Sequence, residues 1–291
     1  MILQPSQAVA ELFTQAIFYG LYIPTFFNCL RWLLFEDEVW KLRPCKQITW
    51  LYIIIAILVF ALATTDIGIA VRLTRARLVG EQSIAERLSY LSVAIEGTIL
   101  IIIDAVLIYR CWTVYGKSWR IVCLPLAFWA CTITCAVAWT ICNAVGLQLI
   151  NSPTAMAIVV GVFYTCNFAT NVYATSAIVY RLWKTAMTDN KYSRLYQVCR
   201  TISGTGILYS FTSFLSLLTT FWAIRDTFPL ALANSINIPT ACIAYNFVII
   251  RVGQLRVRPR TTTTNLHVYH SSCPPTPAAT EGIDSSTLPL K

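Results

Sequence analysis

Charged side chains are scarce in this chain. Of its 291 residues, 12% are Asp, Glu, Lys or Arg, whereas a soluble domain carries roughly 25%, and 57% are hydrophobic. This composition excludes a soluble globular protein. The net charge of +9 does not indicate nucleic-acid binding, because the basic residues adjoin apolar stretches. In that position they orient a membrane protein and contact anionic lipid headgroups. We therefore expect the lipid bilayer, and no nucleic acid, as a partner.

Signatures of catalysis and of cofactor binding are also absent from the sequence. It has no Asp-rich diphosphate site, no histidine cluster of the di-iron desaturase kind, and no protease motif. Its two histidines, His267 and His270, lie in the carboxyl-terminal tail, away from any metal-type spacing. Most of the eleven cysteines lie inside apolar runs, where cysteine behaves as a small hydrophobic residue. The sequence predicts no cofactor, no metal and no enzyme.

Long apolar runs dominate what is present. A helix needs about 20 apolar residues to cross the hydrocarbon core of a bilayer. Seven stretches meet or approach that length, at residues 8–34, 48–70, 88–109, 121–143, 154–181, 201–224 and 229–250. The sequence therefore predicts an all-α membrane protein, with a seven-transmembrane-helix bundle over residues 1–255. Residues 256–291 are rich in Ser, Thr and Pro, and we predict a disordered cytoplasmic tail there.

The basic residues between the stretches predict the orientation. Connections 35–47, 110–120 and 182–200, together with the tail from 251, hold fifteen lysines and arginines, and the opposite side holds five. Because basic residues concentrate in cytoplasmic loops, the amino end is predicted outside and the carboxyl end in the cytoplasm. We expect the plasma membrane rather than an endomembrane.

Three polar residues are predicted in the outer half of the bundle: Asp66, Glu96 and Asn237. Ionisable residues within a span cost about 2.5–3.5 kcal/mol on insertion scales and usually face the bundle interior. One interpretation is a polar pocket, open to the outside, for a cationic or hydroxyl-bearing ligand. The other is interhelical hydrogen bonding without a ligand.

A second polar group is predicted in the inner half, formed by Asn28, Arg31, Asp104, Asn171 and Asn246. Arg31 and Asp104 could form an ion pair there, or the Arg31 side chain could extend to the headgroups. Asn167 and Asn171 share one helix face at i,i+4 spacing and favour helix packing. The run Ser203-Gly204-Thr205-Gly206 likewise suits close helix packing better than a phosphate site.

Three groups of motifs lie within or just after predicted spans three, five and seven. The first is Tyr109-Arg110-Cys111-Trp112 with Gly116-Lys117, and the second is Thr170-Asn171 followed by Tyr180-Arg181-Leu182-Trp183. The third is Asn237-Ile238-Pro239-Thr240 leading into Ile249-Ile250-Arg251-Val252-Gly253. Together they resemble a large family of seven-span membrane proteins of mushroom-forming (basidiomycete) fungi, and the resemblance covers most of residues 10–255. It implies a receptor-like bundle and no particular activity.

Three functions remain open at this point. A receptor-like sensor of a small extracellular ligand fits best, with loop 182–200 and the tail offered to a cytoplasmic effector. A transporter or channel accessory would use Asp66, Glu96 and Asp104 as a relay of protons or cations. A membrane-embedded enzyme would use Glu96 and Asp104 as acids.

Overall fold

Seven long α-helices make up nearly all of the part of the chain that the structure describes. The computed structural model describes residues 5–35, 50–145, 153–188, 192–222 and 226–257. The helices are α1 (Pro5–Leu34), α2 (Trp50–Val79), α3 (Gln82–Val114), α4 (Trp119–Val145), α5 (Pro153–Thr188), α6 (Tyr192–Trp222) and α7 (Phe228–Val257). Each predicted apolar stretch corresponds to one helix, and the all-α class is confirmed. The predicted disordered tail lies, from residue 258 on, outside the described residues.

Five of the helices are long and apolar enough to cross a membrane. Within the described residues these segments are Trp50–Val79, Gln82–Val114, Trp119–Cys142, Ala157–Arg181 and Phe228–Ile250. α1 and α6 are about as long, but Glu11 and Arg31 interrupt α1, and basic residues begin α6. The chain is therefore a membrane protein with several spans.

Five helices extend well beyond the predicted apolar stretches, among them α7, which continues seven residues past 250. α2 continues nine residues past the predicted end at 70 and α3 starts six residues before 88, so the predicted connection 71–87 is a tight helical hairpin. In the same way, α5 and α6 take up most of the predicted loop 182–200. The apolar pattern marks the membrane-crossing part of a helix only. Arg, Leu and Ala in the sequence VRLTRARLV favour helix, so nothing ends α2 before Gly80.

The turn between α2 and α3 depends on the backbone of Gly80. Its φ is +84°, a left-handed conformation that costs glycine little and other residues more. The amide N–H of Glu81 donates to the carbonyl of Ala76 at 2.9 Å, which is the 6→1 bond of a Schellman cap. The predicted outer end of the α2–α3 hairpin is thus fixed by a single glycine.

We expect Gly80→Ala to lower the free energy of unfolding by about 1 kcal/mol, because alanine is strained at positive φ. Gly68→Ala is the matched control. Gly68 is an exposed residue in the middle of α2, and a Cβ there meets no atom within 4 Å. The Gly68→Ala substitution should be neutral or slightly stabilising, because alanine is a better helix former than glycine. Denaturant unfolding in detergent compares the two, and equal losses would contradict this role of Gly80.

The main apolar core lies where α1, α2, α3 and α7 meet. Phe26 of α1 stacks on Phe60 of α2 with ring centroids 4.1 Å apart, and Tyr22 packs beside them. Ile99, Leu100 and Ile103 of α3 belong to the same cluster and are at most 1% exposed. This core places α3 at the centre of the bundle. The two interior carboxyls of α3, those of Glu96 and Asp104, lie between neighbouring helices.

Large apolar side chains also cover much of the outer surface. Phe13, Ile207 and Phe221 are 67%, 65% and 70% exposed, and many other Leu, Ile, Val and Trp side chains on the helices are similarly open. Water-soluble monomers rarely expose such continuous apolar area. The exposed faces are those that a bilayer would cover.

Candidate functional site

Asp66 forms a hydrogen-bonded clamp between three helices. The side-chain amide of Gln15 on α1 donates to one carboxyl oxygen (Nε2 to Oδ2, 2.7 Å), and the hydroxyl of Ser92 on α3 donates to the other (Oγ to Oδ1, 2.8 Å). The space beside Asp66 is about 10 Å³, room for no more than about one water molecule. Both oxygens of this carboxyl already accept a hydrogen bond, and the described cavity beside it is too small for a ligand. The arrangement suits helix packing.

An ion pair lies about one turn of α1 before this clamp. Arg77 of α2 donates from Nη1 to Oε2 of Glu11 on α1 at 3.4 Å. Arg77 is one of the arginines on the predicted outer side, where basic residues are uncommon. Its pairing with Glu11 explains why one such charge is tolerated there.

Asn237 of α7 joins α7 to α6. Its side-chain oxygen accepts hydrogen bonds from the hydroxyls of Thr212 and Ser213, at 2.9 and 3.3 Å. Asn237 and Ser213 are 0% exposed. Like Asp66, this member of the predicted outer group is engaged in contacts between helices.

Asp104 is held by two asparagines of α5. The side-chain amides of Asn167 and Asn171 donate to its two oxygens, with Nδ2–O distances of 2.8 and 3.2 Å. The Asn171 amide also donates to the backbone carbonyl of Asn167 at 2.9 Å. All three residues are 0% exposed. The inner carboxyl therefore ties α3 to α5 and has amide partners rather than Arg31.

The other members of the predicted inner group lie elsewhere. Asn28 and Arg31 are exposed on α1. Asn246 is buried in α7 and donates to the hydroxyl of Thr25 on α1 at 3.2 Å. The structure thus brings Asp104 and Asn171 together and keeps Asn28, Arg31 and Asn246 apart from them.

Arg110 is buried, although the sequence assigned it to a cytoplasmic connection. α3 continues to Val114, and the Arg110 guanidinium donates to the carbonyl of Val248 on α7 at 3.0 Å. It also lies 5.1 Å from the ring centroid of Tyr52 on α2. This arginine connects three helices at the predicted cytoplasmic end.

Glu96 differs from the other two interior carboxyls, Asp66 and Asp104, whose oxygens accept hydrogen bonds. No group in the described part of the chain hydrogen-bonds to its carboxyl, and the side chain lines a cavity of about 380 Å³ between α3, α4 and α5. That volume lies within the range of about 300–1,000 Å³ typical of small-molecule pockets. Of the three predicted outer residues, only Glu96 contacts such a cavity, because Asp66 and Asn237 do not line it.

The cavity walls are apolar apart from a few groups. Aliphatic side chains such as Leu100 and Val160 form most of the lining, and the aromatic rings of Trp139, Phe163 and Tyr164 surround the rest. The polar residues Thr98, Thr140 and Tyr164 line the cavity together with Glu96. An apolar cavity with few polar groups is the usual composition of a ligand site.

α4 encloses one side of the cavity. Two hydrogen bonds attach α4 to α3 and α5 away from the cavity mouth. The indole N–H of Trp129 donates to the carbonyl of Ile101 on α3 at 3.0 Å, and the hydroxyl of Tyr173 on α5 donates to the carbonyl of Ile121 on α4 at 3.0 Å. From Cys135 on, toward the predicted outer end, α4 side chains line the cavity opposite α3 and α5. A ligand could therefore occupy the cavity while both of these hydrogen bonds of α4 stay intact.

Sequence reasoning missed several partners of these groups. Gln15, Ser92, Thr212 and Ser213 hold Asp66 and Asn237 in place. Gln15 lies four residues after Glu11, on the same helix face, and this spacing was a usable signal. Serine and threonine are common in membrane helices, so Ser92, Thr212 and Ser213 carried no comparable signal.

The described residues contain no group of three or more His, Cys, Asp or Glu that could hold a metal ion. Together the fold and the cavity define a helical membrane protein in which one interior carboxyl, that of Glu96, has no hydrogen-bond partner among the described residues. The chain matches no family model, no curated protein and no solved structure.

Proposed function

We propose that the chain is a receptor-like sensor that binds a small molecule in the Glu96 cavity. Its seven helices would all cross the membrane, with the amino end outside and the carboxyl end in the cytoplasm, as in the fungal family that its motifs resemble. The observation that carries the proposal is the Glu96 carboxyl, which lines a ligand-sized apolar cavity and has no hydrogen-bond partner among the described residues. An unsatisfied carboxyl inside a membrane protein is costly and indicates a function.

The packing of α3 favours sensing over a carboxyl relay. Ile99, Leu100 and Ile103 lie between Glu96 and Asp104 along the helix and are at most 1% exposed. Proton or cation transfer needs polar groups or water between successive sites, and this apolar layer separates the two carboxyls. Asp66, the third member of the proposed relay, is saturated by Gln15 and Ser92.

The same separation weighs against an enzyme. A pair of acids acting on one substrate must adjoin one cavity, whereas Glu96 lines the cavity and Asp104 is enclosed by Asn167 and Asn171. Among the described lining residues Glu96 is the one carboxylic acid, so the cavity does not bring two acids to one substrate.

The test of sensing is a ligand-dependent movement without transport. Compounds are first selected because they raise the thermal stability of the wild-type chain and not of Glu96→Gln. Spin labels on non-natural amino acids at Lys117 and Trp183, both exposed near the predicted cytoplasmic ends, then report the distance between the α3–α4 turn and α5. We expect the selected compound to shift that distance distribution.

The same compound is then followed across liposomes that contain the protein. A sensor gives the distance shift and no accumulation inside the vesicles. If the compound accumulates inside the vesicles only when the protein is present, the protein is a transporter and the sensor proposal is wrong. Binding without any distance shift would contradict signalling through these helices.

A further inference from the structure

The described rim of the Glu96 cavity lies on the lipid-facing side of the helices. Three apolar side chains line the cavity and are also open at the protein surface, namely Val93, Val137 and Ile141, which are 39%, 50% and 52% exposed. Val93 falls in the membrane-crossing segment Gln82–Val114, and the other two fall in Trp119–Cys142. The mouth that these residues form therefore opens within the bilayer.

α4 leaves this side of the bundle accessible. Of its side chains from 119 to 142, only Val122, Pro125 and Thr132 are buried. Val122 and Pro125 lie near the opposite end of α4 from the cavity mouth, and Thr132 lies between them and the mouth. A molecule dissolved in the lipid can reach the cavity between α4 and its neighbours without first crossing a polar loop.

The walls indicate what kind of head group the cavity would bind. A carboxyl without a partner gains most from a donor that carries positive charge, because charge-assisted hydrogen bonds are roughly twice as strong as neutral ones. Aromatic faces add to the attraction of a cation, and Trp139, Phe163 and Tyr164 all line the cavity. The aliphatic remainder of the lining suits a hydrocarbon chain.

We propose that the cavity binds a single-chain amphiphile with a primary amine, which enters from the bilayer and places its ammonium group against Glu96. This inference rests on the proposed function only in taking the same cavity as the ligand site. The hydrocarbon chain would lie along Val137 and Val160, toward the mouth. A water-soluble amine lacks the chain and would leave the apolar walls uncovered.

The test uses the full chain in lipid nanodiscs and three probes: dodecylamine, dodecanol and butylamine. We expect dodecylamine to raise the melting temperature with saturation. Dodecanol and butylamine should each need at least tenfold more probe for the same shift. In Glu96→Gln the half-saturating concentration of dodecylamine should rise at least tenfold. Glu86→Gln, the same change at an exposed position on α3, should leave it unchanged and so measures the general effect of an amine on the bilayer.

A second pair of variants tests the cavity without altering the carboxyl. Ala136 lines the cavity, so Ala136→Phe should fill it and weaken dodecylamine binding. Ala130, exposed on the same helix, provides the control Ala130→Phe. The proposal is overturned if both Glu96→Gln and Ala136→Phe bind like the wild type. If dodecanol binds as tightly as dodecylamine, the requirement for an amine is wrong. If butylamine binds as tightly, the requirement for a hydrocarbon chain is wrong.

Failure of this inference can be told apart from failure of the sensor. Glu96-dependent binding of dodecylamine without a distance shift between positions 117 and 183 would support the amine site and contradict sensing. If dodecylamine does not bind but another compound in the cavity shifts the distance, the result supports sensing and contradicts the amine site.

Discussion

Replacing Asp104 by alanine should lower the free energy of unfolding by about 2–3 kcal/mol. Two buried amides, those of Asn167 and Asn171, would lose their acceptor, and each buried donor left unsatisfied costs about 1–3 kcal/mol. Two such donors would cost about 2–6 kcal/mol together. Hydrogen bonds between membrane helices average about 0.6 kcal/mol, so we expect a value at the low end of this range. α3 and α5 would also lose the main polar contact between them in the described interior.

The measurement is reversible unfolding of the purified chain in mixed detergent micelles. Asp104→Asn is the matched variant, because it keeps an acceptor oxygen of nearly the same size and should lose less than half as much. Asp66→Ala is a useful comparison at a second clamp of the same kind. A loss below about 0.5 kcal/mol for Asp104→Ala would mean that the asparagines find other partners, and it would contradict the proposed clamp.

Replacing Gly206 by alanine should cost about 1–3 kcal/mol, the usual effect of overpacking a tight contact. A Cβ at Gly206 of α6 would overlap Cγ2 of Thr175 on α5, so the two backbones approach closely only because this residue has no side chain. To admit the methyl group, α5 and α6 would have to separate or the Thr175 side chain would have to leave its present position.

Gly204 provides the control two residues away. It is exposed, and a Cβ there meets no atom within 4 Å, so Gly204→Ala should be neutral or slightly stabilising. Thermal unfolding of both variants in the same detergent gives the comparison. Equal stability of the two would show that the α5–α6 contact adapts to an extra methyl group.

The apolar pattern predicted the helices because apolar runs of about 20 residues have few alternatives in a membrane. It missed the ends of α2, α3, α5, α6 and α7, where the helix continues through charged sequence such as Arg72–Arg77. In that region helix propensity and a glycine cap determine where the helix stops, and a hydrophobicity count does not detect them.

The candidate site was predictable only residue by residue. Glu96 could be named from its position within a span, and so could Asp66 and Asn237. The sequence did not distinguish a carboxyl held by Gln15 and Ser92 from one facing a cavity, because that depends on side chains from three other helices. Likewise, Asn167 and Asn171 share a face in the sequence, but their common partner Asp104 emerges only when α3 and α5 pack together.

The central claim is that the two carboxyls of α3 have different tasks, Glu96 in binding and Asp104 in packing. The most direct test measures both dodecylamine binding and unfolding free energy for Glu96→Gln and Asp104→Ala in parallel. We predict that Glu96→Gln loses binding and keeps or gains stability, because its carboxyl has no hydrogen-bond partner in the described part of the chain, while Asp104→Ala loses stability and keeps binding. Parallel losses of stability in both variants, with binding affected in neither, would contradict the claim.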